Sequence, residues 1–254
     1  LMDNLARPSV LGGRLALRPF DGFCGGGKSC VLSIGASGVV DLQAAAAAAA
    51  VGRDGLPEVD EGSWTPLVER EVLGLAAVDI ELLFAGGGKT FKPYADLATS
   101  FRGVGLHLGA SAGLPISGAW RLAAQLEYRL SSGGYAPDHI GTFYDLERYQ
   151  ASLATGGQQA LSKNEALEQG LYGGHGLLAQ LGLEGGRALS LKVGYRYHPG
   201  PDGSQLWARV VTEPTSRLTV GVLGVFRALG QSSRGADGIA TLAEARYRVT
   251  PYLY

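Results

Sequence analysis

The sequence predicts an all-β chain, a transmembrane antiparallel up-and-down β-barrel of about twelve strands. Three observations predict it. First, residues 120–130 alternate: Trp120, Leu122, Ala124, Leu126, Tyr128 and Leu130 are apolar, while Arg121, Gln125, Glu127 and Arg129 are polar. A period of two puts alternate side chains on opposite faces of a strand, and about eleven residues is the length a tilted strand needs to cross a bilayer. Second, the pattern recurs along the chain. Third, hydrophobic residues reach 46% and charged ones only 18%, yet no run approaches the roughly 18 apolar residues of a membrane helix. Glycine is 40 of 254 residues, without a collagen period, as turns and small strand positions require.

The candidate strands follow in order. A short first one spans 13–20. The next are 28–42, 71–84, 90–102, 104–114 and 120–130, then 139–149, 169–184, 188–198, 205–212, 217–229 and 238–250. In 187–197, Leu189, Leu191, Val193, Tyr195 and Tyr197 alternate with Ser190, Lys192, Gly194 and Arg196. Ile239, Ala243, Ala245, Tyr247 and Val249 are set against Glu244, Arg246 and Arg248 in the last segment. Gly86-Gly87-Gly88, Gly185-Gly186, Pro199-Gly200-Pro201-Asp202-Gly203 and Glu213-Pro214-Thr215-Ser216 are short turn signals between them, so consecutive hairpins are expected. A meander with one apolar face closes most simply as a barrel, because closure removes unpaired edges. The whole chain, 1–254, is expected to form one barrel domain.

Two connections are long. Residues 43–70 carry the alanine tract Ala44–Ala50, which suits either a short helix or a flexible insertion. Residues 150–168 carry Ser162-Lys163-Asn164-Glu165 ahead of Ala166-Leu167, a capping box for a one- or two-turn helix over a barrel mouth, or else a loop.

In a membrane barrel the apolar face meets lipid and the ionic face lines the lumen. The expected lumen set is Arg121, Glu127, Arg129, Asp145, Glu147, Lys192, Arg196, Arg209, Arg227, Glu244, Arg246 and Arg248. Such charges either line a narrow pore or pair across it and fill it. The expected aromatic girdle is Trp120, Tyr128, Tyr195, Tyr197, Trp207 and Tyr247. At about 3.3 Å per residue and a tilt near 40°, Trp120 and Tyr128 stand roughly 20 Å apart along the barrel axis, close to the height of an apolar band.

The chain ends Arg246-Tyr247-Arg248-Val249-Thr250-Pro251-Tyr252-Leu253-Tyr254. With Tyr252 and Tyr254, this resembles the terminal strand of bacterial outer-membrane β-barrel proteins, although Pro251 interrupts it. The Ala/Gly/Arg-rich style is similar to uncharacterised barrels of GC-rich Gram-negative bacteria such as myxobacteria. The resemblance covers nearly the whole chain at the level of pattern. It implies an outer-membrane location, the lipid bilayer as partner, and a small channel or transporter. The alternative is a non-conducting barrel that anchors an envelope complex through 43–70 and 150–168.

No catalytic constellation or cofactor site is read from the sequence. Gly86-Gly87-Gly88-Lys89-Thr90 lacks the first glycine of a phosphate loop, since Leu83 stands there, and no helix pattern follows. His107, His139, His175 and His198 have no metal-ligand spacing. His175 has lipid-facing parity, as in outer-membrane lipid hydrolases, but no serine can be placed beside it. Net charge is −1, which gives no electrostatic case for nucleic acid. Cys24 and Cys30 are near enough in sequence for a disulfide, or stand as two free thiols. If strand one rises from the periplasm, the Cys24–Cys30 loop, 150–168 and 229–237 are external. The links at Gly103, Gly185 and Pro214 are then periplasmic. The long segment 43–70 would also be periplasmic, which is unusual unless it docks something or the strand count is off by one.

Overall fold

The structure is a computed structural model. It describes residues 10–21, 29–48, 58, 61, 67–140, 152–153, 160–161, 163–186, 189–200, 203–227 and 239–247. The first strands are β1 (Val10–Asp21), β2 (Ser29–Ala48), β3 (Val68–Gly86), β4 (Lys89–Thr99), β5 (Val104–Ser117) and β6 (Trp120–Ser131). A two-residue pair follows, β7 (Ser152–Leu153) with β8 (Ala160–Leu161), and then the helix α1 (Lys163–Glu168). The chain returns to the sheet with β9 (Gly174–Gly185), β10 (Leu189–Tyr197), β11 (Ser204–Thr215), β12 (Leu218–Arg227) and β13 (Ile239–Tyr247). Eleven strands form one sheet, in the order β1-β2-β3-β4-β5-β6-β9-β10-β11-β12-β13. Every neighbouring pair is antiparallel.

Local chemistry explains the hairpins. Gly87 and Gly88 link β3 to β4 with φ of 58° and 77°. Two successive positive φ values make the turn whose twist matches its strands, and glycine adopts them without strain.

Three expectations are corrected. β6 pairs directly with β9, Trp120 opposite Gly185 through Ser131 opposite Gly174, so no strand 139–149 stands between them. His139 and Ile140 lie in a turn, and 141–149 are outside the described residues. Removing that strand reverses the direction of every later one. The connections at 49–67, 132–173 and 228–238 therefore all leave one end of the sheet. The tight turns at Gly87, Gly118, Gly186 and Ser216 occupy the other, together with residues 22–28. The expected sidedness, with Gly185 and Pro214 grouped with Gly103, does not hold. Third, Ala44–Ala48 do not form a helix but continue β2, pairing with β3 through two bulges. Ala44 and Ala45 are fully buried. α1 lies against β2, and packing against a neighbouring element overrides the helical preference of alanine.

The sheet is curled around its polar face. Asp138 bonds Arg196 on β10, while its neighbour His139 bonds Asn164, which in turn bonds Glu71 on β3. Burial agrees: Asp79, Glu127 and Arg129 on the polar face are buried while Leu126 and Leu181 on the other face are exposed, as in a sheet wrapped around its polar side.

The outer face is apolar. Leu126 is 59% and Leu181 60% exposed, with Leu15, Val78, Leu97, Leu106, Val193, Leu206 and Val222 also outward. Beside apolar side chains such as Leu73, Leu178 and Val225, the described residues bury Asp41, Asp79, Glu127, Arg129 and Gln205. This is an inversion of the soluble pattern, with an apolar surface far beyond the few hundred Å² a soluble monomer tolerates. Among the described residues no helix is long and apolar enough to cross a membrane.

Candidate functional site in the lumen

Strand parity assembles the site. On β6 the polar phase aims Arg121, Gln125, Glu127 and Arg129 inward. Glu127 is 6% and Arg129 3% exposed. Buried charges persist only when paired and hydrogen-bonded, and these are. Arg129 donates through Nε to Glu127 at 2.5 Å and through Nη1 to Asp138 at 2.7 Å. Glu127 also accepts the Tyr94 hydroxyl at 2.5 Å, and Gln125 donates to that hydroxyl at 2.6 Å. Tyr94 stands on β4, two strands away, and reaches Glu127 across β5. It does so at Gly109, which pairs with both residues. A Cβ there would lie 2.5 Å from the Tyr94 ring and hydroxyl, so glycine is required by close approach rather than by φ.

The connection from β6 to β9 folds back into the curled sheet. Tyr135, Ala136 and His139 are buried, and Ala136 joins Ala166, Leu167 and Tyr172 in one apolar cluster. Asp138 has a φ of 56°, a region aspartate tolerates better than most residues. Its carboxylate accepts from Arg129 at 2.7 Å and from Arg196 at 2.8 Å, tying this plug to β6 and β10. Burial pushes that carboxyl up, but the two guanidinium groups outweigh burial and hold it well below the usual carboxylate range. Burial also pushes the Tyr135 phenol up, with the Asp138 and Asp96 charges acting in the same direction. On the other flank Asn164 donates to Glu71 at 3.0 Å, and His139 Nε2 meets Asn164 Oδ1 at 3.0 Å. Arg102 bonds both Glu71 and Glu168, at 2.5 and 2.9 Å.

Beside the plug lies a cavity of about 490 Å³ walled by β6 and β9–β13. Its polar lining includes Arg129, Asp138, Lys192, Arg196, Arg209, Glu244 and Arg246. Arg209 and Arg246 share Glu244, at 2.6 and 2.8 Å. A second chamber of about 260 Å³ opens toward the tight-turn end, with Thr90, Arg121, Gln125 and Glu184 in its wall. Gln180 and Lys192 line both, so the two are adjacent. Arg121 bonds Thr90 across the smaller one.

The expected lumen residues therefore fall as follows. Arg121, Glu127, Arg129, Lys192, Arg196, Arg209, Glu244 and Arg246 share the inner face, and all but Arg121 and Glu127 reach the larger cavity. Arg227 ends β12. Asp145, Glu147 and Arg248 lie outside the described residues, as do Tyr252 and Tyr254. Of the girdle, Trp120, Tyr128, Tyr195, Tyr197 and Tyr247 face outward. Trp120 and Tyr247 sit at the tight-turn end and the other three toward the long connections. Trp207 is a correction. It shares the parity of Gln205 and Arg209, lies over Gly194 and lines the larger cavity. It cannot be on the lipid face while Arg209 is in the lumen.

His175 faces outward, bonded to the Tyr128 hydroxyl with the rings 5.8 Å apart. Its partner is a phenol rather than a nucleophile. Among the described residues no group of three His, Cys, Asp or Glu side chains is arranged to hold a metal. Cys30 is disulfide-bonded; Cys24, the other cysteine of the chain, lies outside the described residues. Sequence reading missed the plug residues Tyr135, Asp138, His139 and Asn164. Their only signals were the turn-like Tyr-Ala-Pro-Asp run, 135–138, and the capping box at Asn164-Glu165.

No protein-family model matches the chain, and no curated protein matches it. Two solved structures superpose loosely. One is a KdgM porin in complex with disordered oligogalacturonate, at 7% identity and a TM-score of 0.40, covering 95% of this chain and 99% of that one. The other is a KdgM porin, at 8% identity and a TM-score of 0.39 over the same shares. Likeness at this level transfers no residue role and no ligand, and nothing in it supports the narrower likeness to myxobacterial barrels.

Proposed function

We propose that the chain is an outer-membrane β-barrel of the bacterial envelope that conducts small solutes through a narrow, charged and partly filled lumen. One observation carries this reading. The sheet turns most of its leucines, valines and aromatic rings outward while burying ionic groups beside two adjoining cavities with charged walls. Lipid is the environment in which that arrangement is the stable one, because an acyl chain stabilises an outward leucine and the interior ion pairs keep their hydrogen bonds. The bilayer is then the partner of the outer face. The route past the plug runs from Asp138 through the larger cavity to Lys192 and on to Arg121.

A second reading is favoured by the plug itself. A connection seated by Asp138, Tyr135 and α1 suits a sealed barrel that anchors an envelope complex through its long connections. Single-channel recording in planar bilayers separates the two. Discrete conductance steps are expected, and a barrel that seals in every preparation would reject the channel. If the long connections dock partners, deleting 49–67, the part of 43–70 outside β2 and β3, abolishes co-purification while the barrel still folds.

A further inference from the structure

The wall of the larger cavity has a layered chemistry that the channel reading leaves unused. Pairing of β10 with β11 sets Arg196 opposite Gln205, Gly194 opposite Trp207 and Lys192 opposite Arg209. Two cationic levels thus bracket one aromatic level. Four residues at about 3.3 Å each place the levels roughly 13 Å apart along the strand. At the first level Arg129 and Arg196 share a single carboxylate, Asp138. At the second, Arg209 and Arg246 share Glu244, and Lys192 stands beside them. The cavity meets five cationic side chains and only two carboxylates. Glu127 backs Arg129 from β6, and Glu184, 3.4 Å from Lys192, lies in the smaller chamber. A guanidinium has five N–H donors in a fork that fits an acidic group. At the first level Arg129 is buried on Glu127 and Asp138, and Arg196 also donates to Gln205, which leaves the remaining N–H groups of Arg196. At the second level Arg209 and Arg246 are half-exposed with one shared carboxylate between them.

Between the levels, the Trp207 ring lies so close over Gly194 that a Cβ there would be 2.4 Å from it. Gly194 lets the indole lie flat along the wall instead of projecting into the lumen. A small inorganic anion satisfies one level and ignores the ring. From this layering we infer that the cavity is a binding site for elongated organic anions. The ligand carries an acidic group at each end and a flat ring face between them, which stacks on Trp207. The inference rests on the reading of the lumen as a water-filled passage.

Isothermal titration of the folded, detergent-solubilised protein tests it without requiring conduction. Biphenyl-4,4′-dicarboxylate is the probe, with biphenyl-4-carboxylate, decanedioate and inorganic phosphate as comparisons. The dicarboxylate is expected to bind at least about tenfold more tightly than each comparison, the worth of one charge-assisted contact. Arg209→Gln and Trp207→Ala should each weaken it by a similar factor, whereas Trp207→Phe retains most of the affinity. Folding of each variant is checked by its heat-modifiable migration in gels. Equal affinity for the one- and two-acid probes, or for decanedioate, overturns the inference, as does binding untouched by Arg209→Gln in a folded protein. A barrel that conducts in bilayers but binds no dicarboxylate refutes this site and leaves the channel standing. One that binds yet never conducts does the reverse.

Discussion

At the scale of single residues, Asp138 and Gly109 hold the interior in place by opposite means. Asp138 supplies the charge that Arg129 and Arg196 would otherwise lack on the plug side. Asp138→Asn keeps the shape and removes the charge, so the plug should loosen and single-channel conductance or open time should rise. The pH dependence follows from the sign of the shift. A carboxyl held below its unfolded value of about 3.9 contributes its full stabilisation above that value, and loses it only as pH falls through the lower folded value. The contribution of Asp138 to gating should therefore be flat from about pH 5 to 8 and change only in strong acid, and the Asn variant should lack that acid limb. Gly109 acts by absence. Gly109→Val would drive the Tyr94 ring off Glu127 and leave a buried carboxylate with one partner fewer. Urea unfolding in micelles should show a loss of about 1–3 kcal/mol. Neither role was legible in the sequence. A glycine in a chain this rich in glycine carries no mark of the side chain that crosses it. Asp138, in a turn-like run ahead of a misread strand, announced nothing of the arginines it joins.

At the scale of elements, legibility followed the clarity of the period. β6 and β10 show unbroken alternation, and both phases fall where parity puts them. β11 is mixed, with Trp207 in one phase and Val210 in the other. There the expectation of an aromatic girdle prevailed over the parity of Arg209, wrongly. The alanine tract misled for a different reason: its intrinsic preference is helical, but its environment is the extension of a long β2–β3 ladder capped by α1. The segment 139–149 alternates weakly, and its start is in fact plug. The contrast between phases is itself testable on β6. Leu126→Arg places a charge at mid-strand on the lipid face and should destabilise the protein by about 2–4 kcal/mol. Ala123→Arg, three residues away and facing the smaller chamber, should cost less than about 1 kcal/mol, because a lumen position is solvated. Equal losses at the two positions in a micelle unfolding titration would remove the distinction between the faces.

At the scale of the whole molecule, correcting one strand changes the orientation of the protein. With β6 beside β9, the connections at 49–67, 132–173 and 228–238 share an end with the plug, and the tight glycine turns share the other. Outer-membrane barrels keep short turns in the periplasm and longer loops outside. On the channel reading proposed above, the plug, Asp138 and the cavity mouth beside them face the exterior, and a solute would meet the cationic wall before the chamber at Arg121. Cysteine labelling decides this. Gln169→Cys, exposed on the plug-bearing connection, should react with a membrane-impermeant maleimide on intact cells. Arg217→Cys, in the tight turn between β11 and β12, should react only once the outer membrane is permeabilised. The reverse pattern would set the plug in the periplasm, and gating through Asp138 would then answer to periplasmic rather than external pH.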